Sequence, residues 1–368
     1  MAFEKLYFIP ILTIYISIQL SLLLTPLSCL DEIPKSDVFL FIADPQIEGR
    51  HKMNKGWIDT LDLYLNDYSM SVVYKLAFYQ YVPDYIVILG DLFSLQHTID
   101  EEFYWRLERY KNMFPIYSEH FYNLSGNHDI GYGMDMREWM VKRFERSFGK
   151  TNFVINTTEY ELIFINSMAL DGTFESSIHD KTWRFIQDIP AKSKTRLVFL
   201  HIPLYPKNVT YCESNLYRDS NGLFHFQNYL TRNTSIKLLQ LLNPDFVVSG
   251  HNHDGCFTQI NYQPEYRVEE LLHRDHQGII GEFVYGLTVR SIMGIYDGGF
   301  ALLSMNSNNF HYKECTTVNF LTVRIFLVTD LILIIIGTVL LIIKLINKYF
   351  KQYIIFTFSN KEQHVPPG

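Results

Sequence analysis

The sequence lacks several features that would mark other classes of protein. It has only four cysteines, and their positions do not show the paired spacing of a zinc-thiolate site. The formal net charge is −7, so there is no excess of basic residues to attract nucleic acid. Internal repeats and low-complexity tracts are also absent. These absences argue against a zinc-thiolate module, a nucleic-acid-binding protein and a repeat protein.

What the sequence does contain is long apolar sequence near both ends. Tyr7 to Leu24 is almost wholly apolar and follows Lys5. This pattern indicates a signal peptide or a signal anchor within residues 1–30. Because no clean small-x-small cleavage site follows, a retained anchor is favoured, and cleavage is left open.

The second apolar segment is typical of a membrane-spanning helix. Ile325 to Ile343 spans 19 residues, close to the roughly 20 that cross a bilayer. Lys344, Lys348 and Lys351 follow it, which places that end in the cytosol by the positive-inside rule. Asp330 within the span is either a functional group or a residue near the lumenal interface, and we favour the interface.

The predicted domain organisation follows from these two segments. Residues 31–319 form a lumenal domain, residues 320–346 a transmembrane helix, and residues 347–368 a short cytosolic tail. An oxidising lumen permits a disulfide, and pairing of Cys212 with Cys256 is our guess. Four Asn-x-Ser/Thr sequons agree with a lumenal location, at Asn123, Asn156, Asn208 and Asn233.

Short apolar runs alternate with helical patterns from Val38 onward. Val38 to Ile42 and Tyr85 to Leu89 read as strands buried on both faces, and Gly56 to Val82 reads as a long helix. Ser235 to Leu242 reads as a helix capped by Thr234 or Ser235, and the region from Gly278 to Tyr312 as strands of a second sheet. We therefore predict an α/β fold in which a two-sheet β-sandwich is flanked by helices.

Polar residues cluster directly after the predicted strands. Since ligands bind at the carboxyl ends of strands in α/β sheets, parallel strands would bring these clusters to one edge. Carboxylate and amide oxygens together with imidazole nitrogens suit two divalent ions, either manganese, iron or zinc. The predicted metal ligands are Asp44, Asp91, Asn127, His201, His251 and His253.

This ordered set resembles the calcineurin-like metallophosphoesterase superfamily. The resemblance rests on Asp44-x-Gln46, Gly90-Asp91, Gly126-Asn127-His128-Asp129, His201 and Gly250-His251-Asn252-His253. It implies that one ion is held by Asp44, Asp91 and His253. It implies that the other is held by Asp91, Asn127, His201 and His251.

The sequence departs from the superfamily pattern at Gln46, where a histidine ligand is usual. A glutamine carbonyl can ligate weakly, or water can fill the position, so Gln46 is a possible weak metal or water contact. The implied mechanism is two-metal hydrolysis. His128 would stabilise a phosphoryl oxygen or protonate the leaving sugar oxygen, and Asp129 would orient His128, cap a helix, or do both.

A closer resemblance is to the post-GPI-attachment remodelling phosphoesterases. It is carried by Gly126 to Gly131, Lys142 to Glu145, Ile165 to Leu170 and Val198 to Tyr205. It implies a manganese-dependent membrane enzyme of the endoplasmic reticulum or early Golgi that removes ethanolamine phosphate from GPI glycans. The implied partners are GPI-anchored proteins as substrates, the lipid bilayer and cargo receptors of the early secretory pathway, with no nucleic acid.

Two other functions remain compatible with the same residues. The metal centre could act on another lumenal phosphoester, such as a phosphomonoester. Alternatively, the fold could serve as a non-catalytic cargo-sorting scaffold, which Gln46 favours and the otherwise full ligand set argues against.

Overall fold

The structure is a computed structural model, and it describes residues 29, 33, 36–206, 216–218, 224–271, 275–293, 298–317 and 320–362. The first apolar segment, the sequon at Asn208 and Cys212 lie outside these residues. The strands, in chain order, are β1 (Asp37–Ile42), β2 (Tyr85–Ile88), β3 (His120–Asn123), β4 (Phe153–Asn156), β5 (Tyr160–Phe164), β6 (Thr195–Phe199), β7 (Leu216–Arg218), β8 (Phe224–Gln227), β9 (Phe246–Ser249), β10 (Cys256–Asn261), β11 (Arg267–Glu270), β12 (Asp275–Ile279), β13 (Val284–Thr288), β14 (Gly299–Met305) and β15 (Asn309–Thr316). The helices are α1 (Arg50–Met53), α2 (Trp57–Tyr81), α3 (Asp100–Met113), α4 (Asn127–Ile130), α5 (Glu138–Phe148), α6 (Ser176–Gln187), α7 (Arg232–Leu242) and α8 (Phe320–Glu362), with a short 3₁₀ helix at Ser167–Ala169.

Two mixed sheets pack face to face, which confirms the predicted two-sheet fold. One sheet has the order β12-β15-β14-β1-β2-β3, and the other has the order β11-β10-β13-β9-β6-β5-β4. The core between them is apolar and rich in aromatic residues, including Phe39, Phe41, Phe199 and Phe246, all fully buried. Phe41 of β1 meets Phe199 of β6 edge to face at 6.0 Å, so aromatic packing joins the two sheets.

The central strands of each sheet run parallel. β1 pairs with β2 and β2 with β3 in parallel, and so do β5 with β6, β6 with β9 and β9 with β13. Of these strands, β1, β2 and β9 are buried along almost their whole length, which explains their continuous apolar runs. Their carboxyl ends therefore lie at one edge of each sheet.

Two expectations about elements were wrong. The region from Gly278 to Tyr312 does not form one second sheet, because β14 pairs with β1 and β15 pairs with β14 in the first sheet. Only β13 of that region joins the second sheet. Helix α7 begins at Arg232, and its cap is Thr231, whose hydroxyl accepts from the Thr234 amide at 3.3 Å. Strand partners depend on distant segments, so local apolar patterns did not reveal them.

One disulfide was not expected from the sequence. Cys29 and Cys315 form a disulfide with Cα atoms 5.5 Å apart, across 286 positions. The Cys29 carbonyl also accepts from Gln80 at 3.0 Å and from the Tyr81 hydroxyl. Cys256 is disulfide-bonded as well, but its predicted partner Cys212 lies outside the described residues.

The C-terminal helix α8 belongs to a separate unit of the chain. Within it, Val328–Tyr353 is long and apolar enough to cross a membrane. The sequons that the structure describes lie in the other unit, where Asn156 and Asn233 are exposed. Asn123 is half-buried and accepts a hydrogen bond from Tyr110, which limits its access for glycosylation.

Candidate metal centre

The predicted ligand residues lie in loops at the carboxyl ends of the parallel strands. Asp44 follows β1 and Asp91 follows β2, while Asn127 opens the short helix α4 after β3. His201 follows β6, and His251 follows β9. The structure thus brings together residues that are more than 200 positions apart in the chain.

The contacts around Asp91 are short. Its Oδ1 lies 3.2 Å from Nε2 of His201, and that nitrogen lies 3.0 Å from Oδ1 of Asn127. Ligand atoms of Asp91, His201 and His251 all lie within 4.8 Å of one another. One ion can therefore be shared by these three side chains.

The contacts around Asp44 are longer. His253 Nε2 lies 3.8 Å from Asp44 Oδ1, which has no hydrogen-bond partner among the described residues although Asp44 is fully buried. The other oxygen, Oδ2, accepts from the His251 amide at 2.8 Å. A buried carboxylate oxygen without a partner is costly, and a bound cation would satisfy it.

Gln46 lies between the two groups of ligands. Its amide nitrogen donates to Asp91 Oδ2 at 3.1 Å and lies 3.2 Å from His253 Nε2. In this orientation an N–H group, not the carbonyl oxygen, faces the ligand residues. The side-chain amide would have to flip, so that its carbonyl oxygen faces the ligand residues, before it could bind a cation.

Backbone strain concentrates at this centre. Asp44, Gln46, Asp91 and His251 all have positive φ, at 49°, 39°, 50° and 69°. Such conformations cost about 1–3 kcal/mol each for residues other than glycine and are common where function requires a particular geometry. The neighbouring Gly126 has another reason to be glycine, since a Cβ atom there would lie 2.2 Å from the Asp91 amide nitrogen.

Several residues that hold the predicted ligands in place were not singled out from the sequence. The Ser167 hydroxyl accepts from the amides of His201 and Ile202 at 3.0 Å and 2.9 Å. The other ring nitrogen of His201 is 2.8 Å from the Leu89 carbonyl. Ser167 follows β5, so its position at a strand end could have signalled this role.

His251 is held by a second network. Its Nε2 lies 2.9 Å from the carbonyl of Gln227, whose side chain donates to Asp171 at 2.6 Å. Asp171 also accepts from Thr231 and Thr234 at the start of α7. Contacts of this kind fix the orientation of a ligand ring.

The expected hydrogen bond between Asp129 and His128 is not formed. Asp129 instead accepts from the backbone amides of Gly126 at 2.8 Å, Leu92 at 3.2 Å and Phe93 at 3.1 Å. It therefore bonds the amide of Gly126, which is the N-cap residue of α4, and joins that helix to the loop after β2; Asp129 itself is the third residue of the helix and not its N-cap. His128 lines the cleft with Nε2 3.8 Å from Asp91 Oδ2, and its Nδ1 has no hydrogen-bond partner among the residues that the structure describes.

Burial and the charges of neighbouring side chains shift the pKa values of the predicted ligand residues. Burial raises the pKa of Asp44 to about 8, although His201 opposes the shift. Burial lowers the pKa of His201, but Asp91 and its hydrogen bond outweigh this and raise it to about 9. Burial, helped by His201, lowers the pKa of His251 to about 3.

The pKa values of Asp91 and Asp129 shift in opposite directions. Burial would raise the pKa of Asp91, but His201 and His128 hold it well below the usual range. Burial and the nearby Asp91 raise the pKa of Asp129 to about 7. The centre thus binds protons that a divalent cation would displace.

An open cleft of about 410 Å³ gives access to the centre. Its described lining consists of Gln46, Asp91, Gln96, Asn127, His128, Tyr132, Asp135, Asn228, His251 and His253. The donor set, the unpartnered Asp44 oxygen and the access from solvent fit two divalent cations. The function of each predicted ligand nevertheless stays a prediction.

The chain belongs to the calcineurin-like phosphoesterase family, whose profile matches residues 38–255, more than half of its length. Membership of this family supports a phosphoester hydrolase. An uncharacterized protein of Schizosaccharomyces pombe is 31% identical over 274 residues, covering 61% of this chain and 64% of that protein. Protein TED1 of Saccharomyces cerevisiae is 24% identical over 355 residues, covering 73% and 74%.

Among solved structures, a dimetal phosphatase from Danio rerio matches with a TM-score of 0.45 and 13% identity. The match covers 77% of this chain and 96% of that one. The chain spans less than two thirds of the length of the Schizosaccharomyces pombe relative.

Proposed function

We propose that this chain is a membrane-bound lumenal phosphodiesterase that removes ethanolamine phosphate from the glycan of GPI anchors. The main observation in support of hydrolytic activity is the cluster of carboxylate, amide and imidazole groups beside an open cleft. The choice of substrate is supported by the motifs that resemble the post-GPI-attachment remodelling phosphoesterases. The apolar segment of α8 supports attachment to a membrane.

The described residues would hold two divalent ions. Asp44, Asp91 and His253 would bind one, and Asp91, Asn127, His201 and His251 would bind the other. Manganese suits this mixture of oxygen and imidazole donors. When bound, such ions polarise the phosphoryl group and lower the pKa of a coordinated water.

His128 is the residue that we propose for proton transfer. During hydrolysis, a water-derived oxygen attacks phosphorus and the bond from phosphorus to the sugar oxygen breaks. That sugar oxygen takes up a proton, and ethanolamine phosphate is released. The His128 ring lines the cleft and its side chain is 36% exposed, so it can donate this proton or a hydrogen bond to the phosphoryl group. General acid catalysis contributes about 10²–10⁴-fold.

The proposed location is the membrane of the endoplasmic reticulum or early Golgi, with the catalytic domain in the lumen. The substrates there would be GPI-anchored proteins, and their remodelling would support transport out of the endoplasmic reticulum. Cargo receptors of the early secretory pathway are the proposed protein partners.

The test uses the purified full-length protein loaded with manganese. Released ethanolamine phosphate is measured by mass spectrometry after incubation with GPI glycans. Wild-type protein and the exposed control Asp188→Ala should release it, whereas Asp91→Ala should not. Equal release by Asp91→Ala would refute the mechanism.

A non-catalytic scaffold is the second candidate, and the position of Gln46 favours it. Its N–H group already bonds Asp91 and lies beside His253, where a cation would have to compete. Metal content after dialysis separates the two functions, because the enzyme should retain two ions per chain and a scaffold one or none.

A further inference from the structure

The cleft has a charged group beyond the metal centre. Apart from the predicted ligands and His128, Asp135 is the charged side chain in its described lining. No lysine or arginine occurs in that lining among the residues that the structure describes. Two divalent cations would bind the phosphate group of a substrate. Phosphate binding therefore does not explain why an acidic residue, Asp135, also lines the cleft.

Asp135 is placed by a tight turn. Its amide donates to the Tyr132 carbonyl at 3.0 Å, and a Cβ atom at Gly131 would lie 2.8 Å from the Asp135 backbone. The carboxylate is 56% exposed and forms no hydrogen bond within the described part of the chain. The only ion-pair distance to it there is 4.0 Å from His97 Nε2, so the carboxylate is available to a ligand.

The nearest arginine along the chain does not neutralise Asp135. Arg137 donates to the carbonyls of Met134 and Met136 and lies over the Phe174 ring at 4.6 Å. The guanidinium group of Arg137 therefore already contacts backbone carbonyls and an aromatic ring. The rim of the cleft at Asp135 is consequently acidic, which disfavours a substrate with further phosphate groups.

Tyr132 provides an aromatic surface in the same cleft. Its hydroxyl accepts from the Gln227 amide at 3.4 Å, which fixes the ring next to the segment that holds His251. A carboxylate together with an aromatic ring is a favourable environment for an ammonium group. Tyr132 and Asp135 are joined by one turn, and both line the cleft.

We propose that Asp135 and Tyr132 form a subsite for the primary ammonium group of an aminoalkyl phosphate held at the metal centre. This inference rests on the proposed function and names the group by which the ethanolamine phosphate would be distinguished from other phosphoesters. Asp135 is a specificity residue in this arrangement, since it does not touch the reacting phosphorus.

The experiment measures binding by calorimetry with the full-length, manganese-loaded protein in detergent. The probes are O-phosphoethanolamine and 2-hydroxyethyl phosphate, which share the phosphate and differ in the ammonium group. The wild-type protein should bind the amine about three- to tenfold more tightly. This ratio should fall to about one in Asp135→Asn and below one in Asp135→Lys. The control Glu138→Gln, which alters an exposed carboxylate outside the cleft, should keep the wild-type ratio.

A wild-type ratio of one, the same ratio in the Asp135 variants, or no binding of either probe would overturn the subsite. These outcomes are distinct from failure of the proposed function. A normal ratio with no release from GPI glycans would retain the subsite and indicate another aminoalkyl phosphoester. Release from GPI glycans with a ratio of one would retain the function and refute the subsite.

Discussion

The two halves of the candidate metal centre differ in how firmly the fold holds them. In the half around His201, the contacts to Asp91 and Asn127 measure 3.2 Å and 3.0 Å, and the histidine side chain is fully buried. In the half around Asp44, the contact to His253 measures 3.8 Å and that ring is 26% exposed. The first half is therefore preorganised, whereas the second half must adjust to bind an ion.

The reason for this difference lies in the supporting contacts. His201 directly follows the buried strand β6, and both its amide and its ring are held by hydrogen bonds. His253 lies further along a loop, and Gln46 occupies the position beside it. We infer that the half around His201 binds its ion more tightly than the half around Asp44.

The largest expected effect is on kcat/KM, and it differs between His201→Ala and His253→Ala. His201→Ala should lower kcat/KM for a phosphodiester by more than about 100-fold at any manganese concentration, because loss of supporting contacts alone costs about 10–100-fold. His253→Ala should lose about 10–100-fold, and excess manganese should restore part of the activity. Metal content after dialysis and activity against manganese concentration provide the measurement. Equal behaviour of the two variants would remove the distinction between the halves.

A smaller effect is expected when the weaker half is strengthened. Gln46→His replaces an amide N–H with an imidazole nitrogen that can bind a cation. The affinity of the more weakly held ion should rise by about tenfold, within the range that ligand surroundings usually affect. Titration of the metal-free protein with manganese measures this affinity. Gln96→His, which also lines the cleft, should leave the affinity unchanged.

The stability of the metal-free protein should fall as the pH rises. The pKa of His201 is raised to about 9, so its stabilising charge is fully present below pH 6.5 and lost as the pH rises through 9. The pKa of Asp44 is raised to about 8, so stability also falls as the pH rises toward 8, where the unfolded chain is already ionised.

Chelator-treated protein should therefore lose thermal stability between pH 6.5 and 9. The stabilisation by manganese should grow over the same range, because the cation takes the place of protons on these groups. Unfolding temperatures measured with and without manganese test this. A metal-free protein that becomes more stable toward pH 9 would contradict the charge arrangement.

The smallest effect concerns the support of His201. Ser167→Ala removes the acceptor for two buried amides, so the free energy of unfolding should fall by about 1–3 kcal/mol. The tightly held ion should also dissociate more readily. Denaturant unfolding and metal titration measure the two effects, and Ser147→Ala on α5 is a matched control. Equal results for both serines would show that Ser167 does not support the centre.

The sequence predicted the strands well where they are buried and parallel. β1 and β2 match the apolar runs from Val38 and Tyr85, since a strand covered on both faces needs continuous apolar residues. It did not predict that β14 and β15 extend the first sheet, nor that Cys29 pairs with Cys315. Those contacts join segments far apart in the chain, and no local pattern encodes them.

By itself, the sequence determined which donor groups are available and that each follows a strand, because residue type and apolar periodicity are local properties. Only the tertiary structure decided which atoms meet. It turned Asp129 toward backbone amides rather than His128, set the Gln46 amide against Asp91, and placed Asp135 and Tyr132 in the same cleft. The physical reason is that hydrogen bonds and burial depend on how loops from both sheets pack together, which no single stretch of the chain specifies.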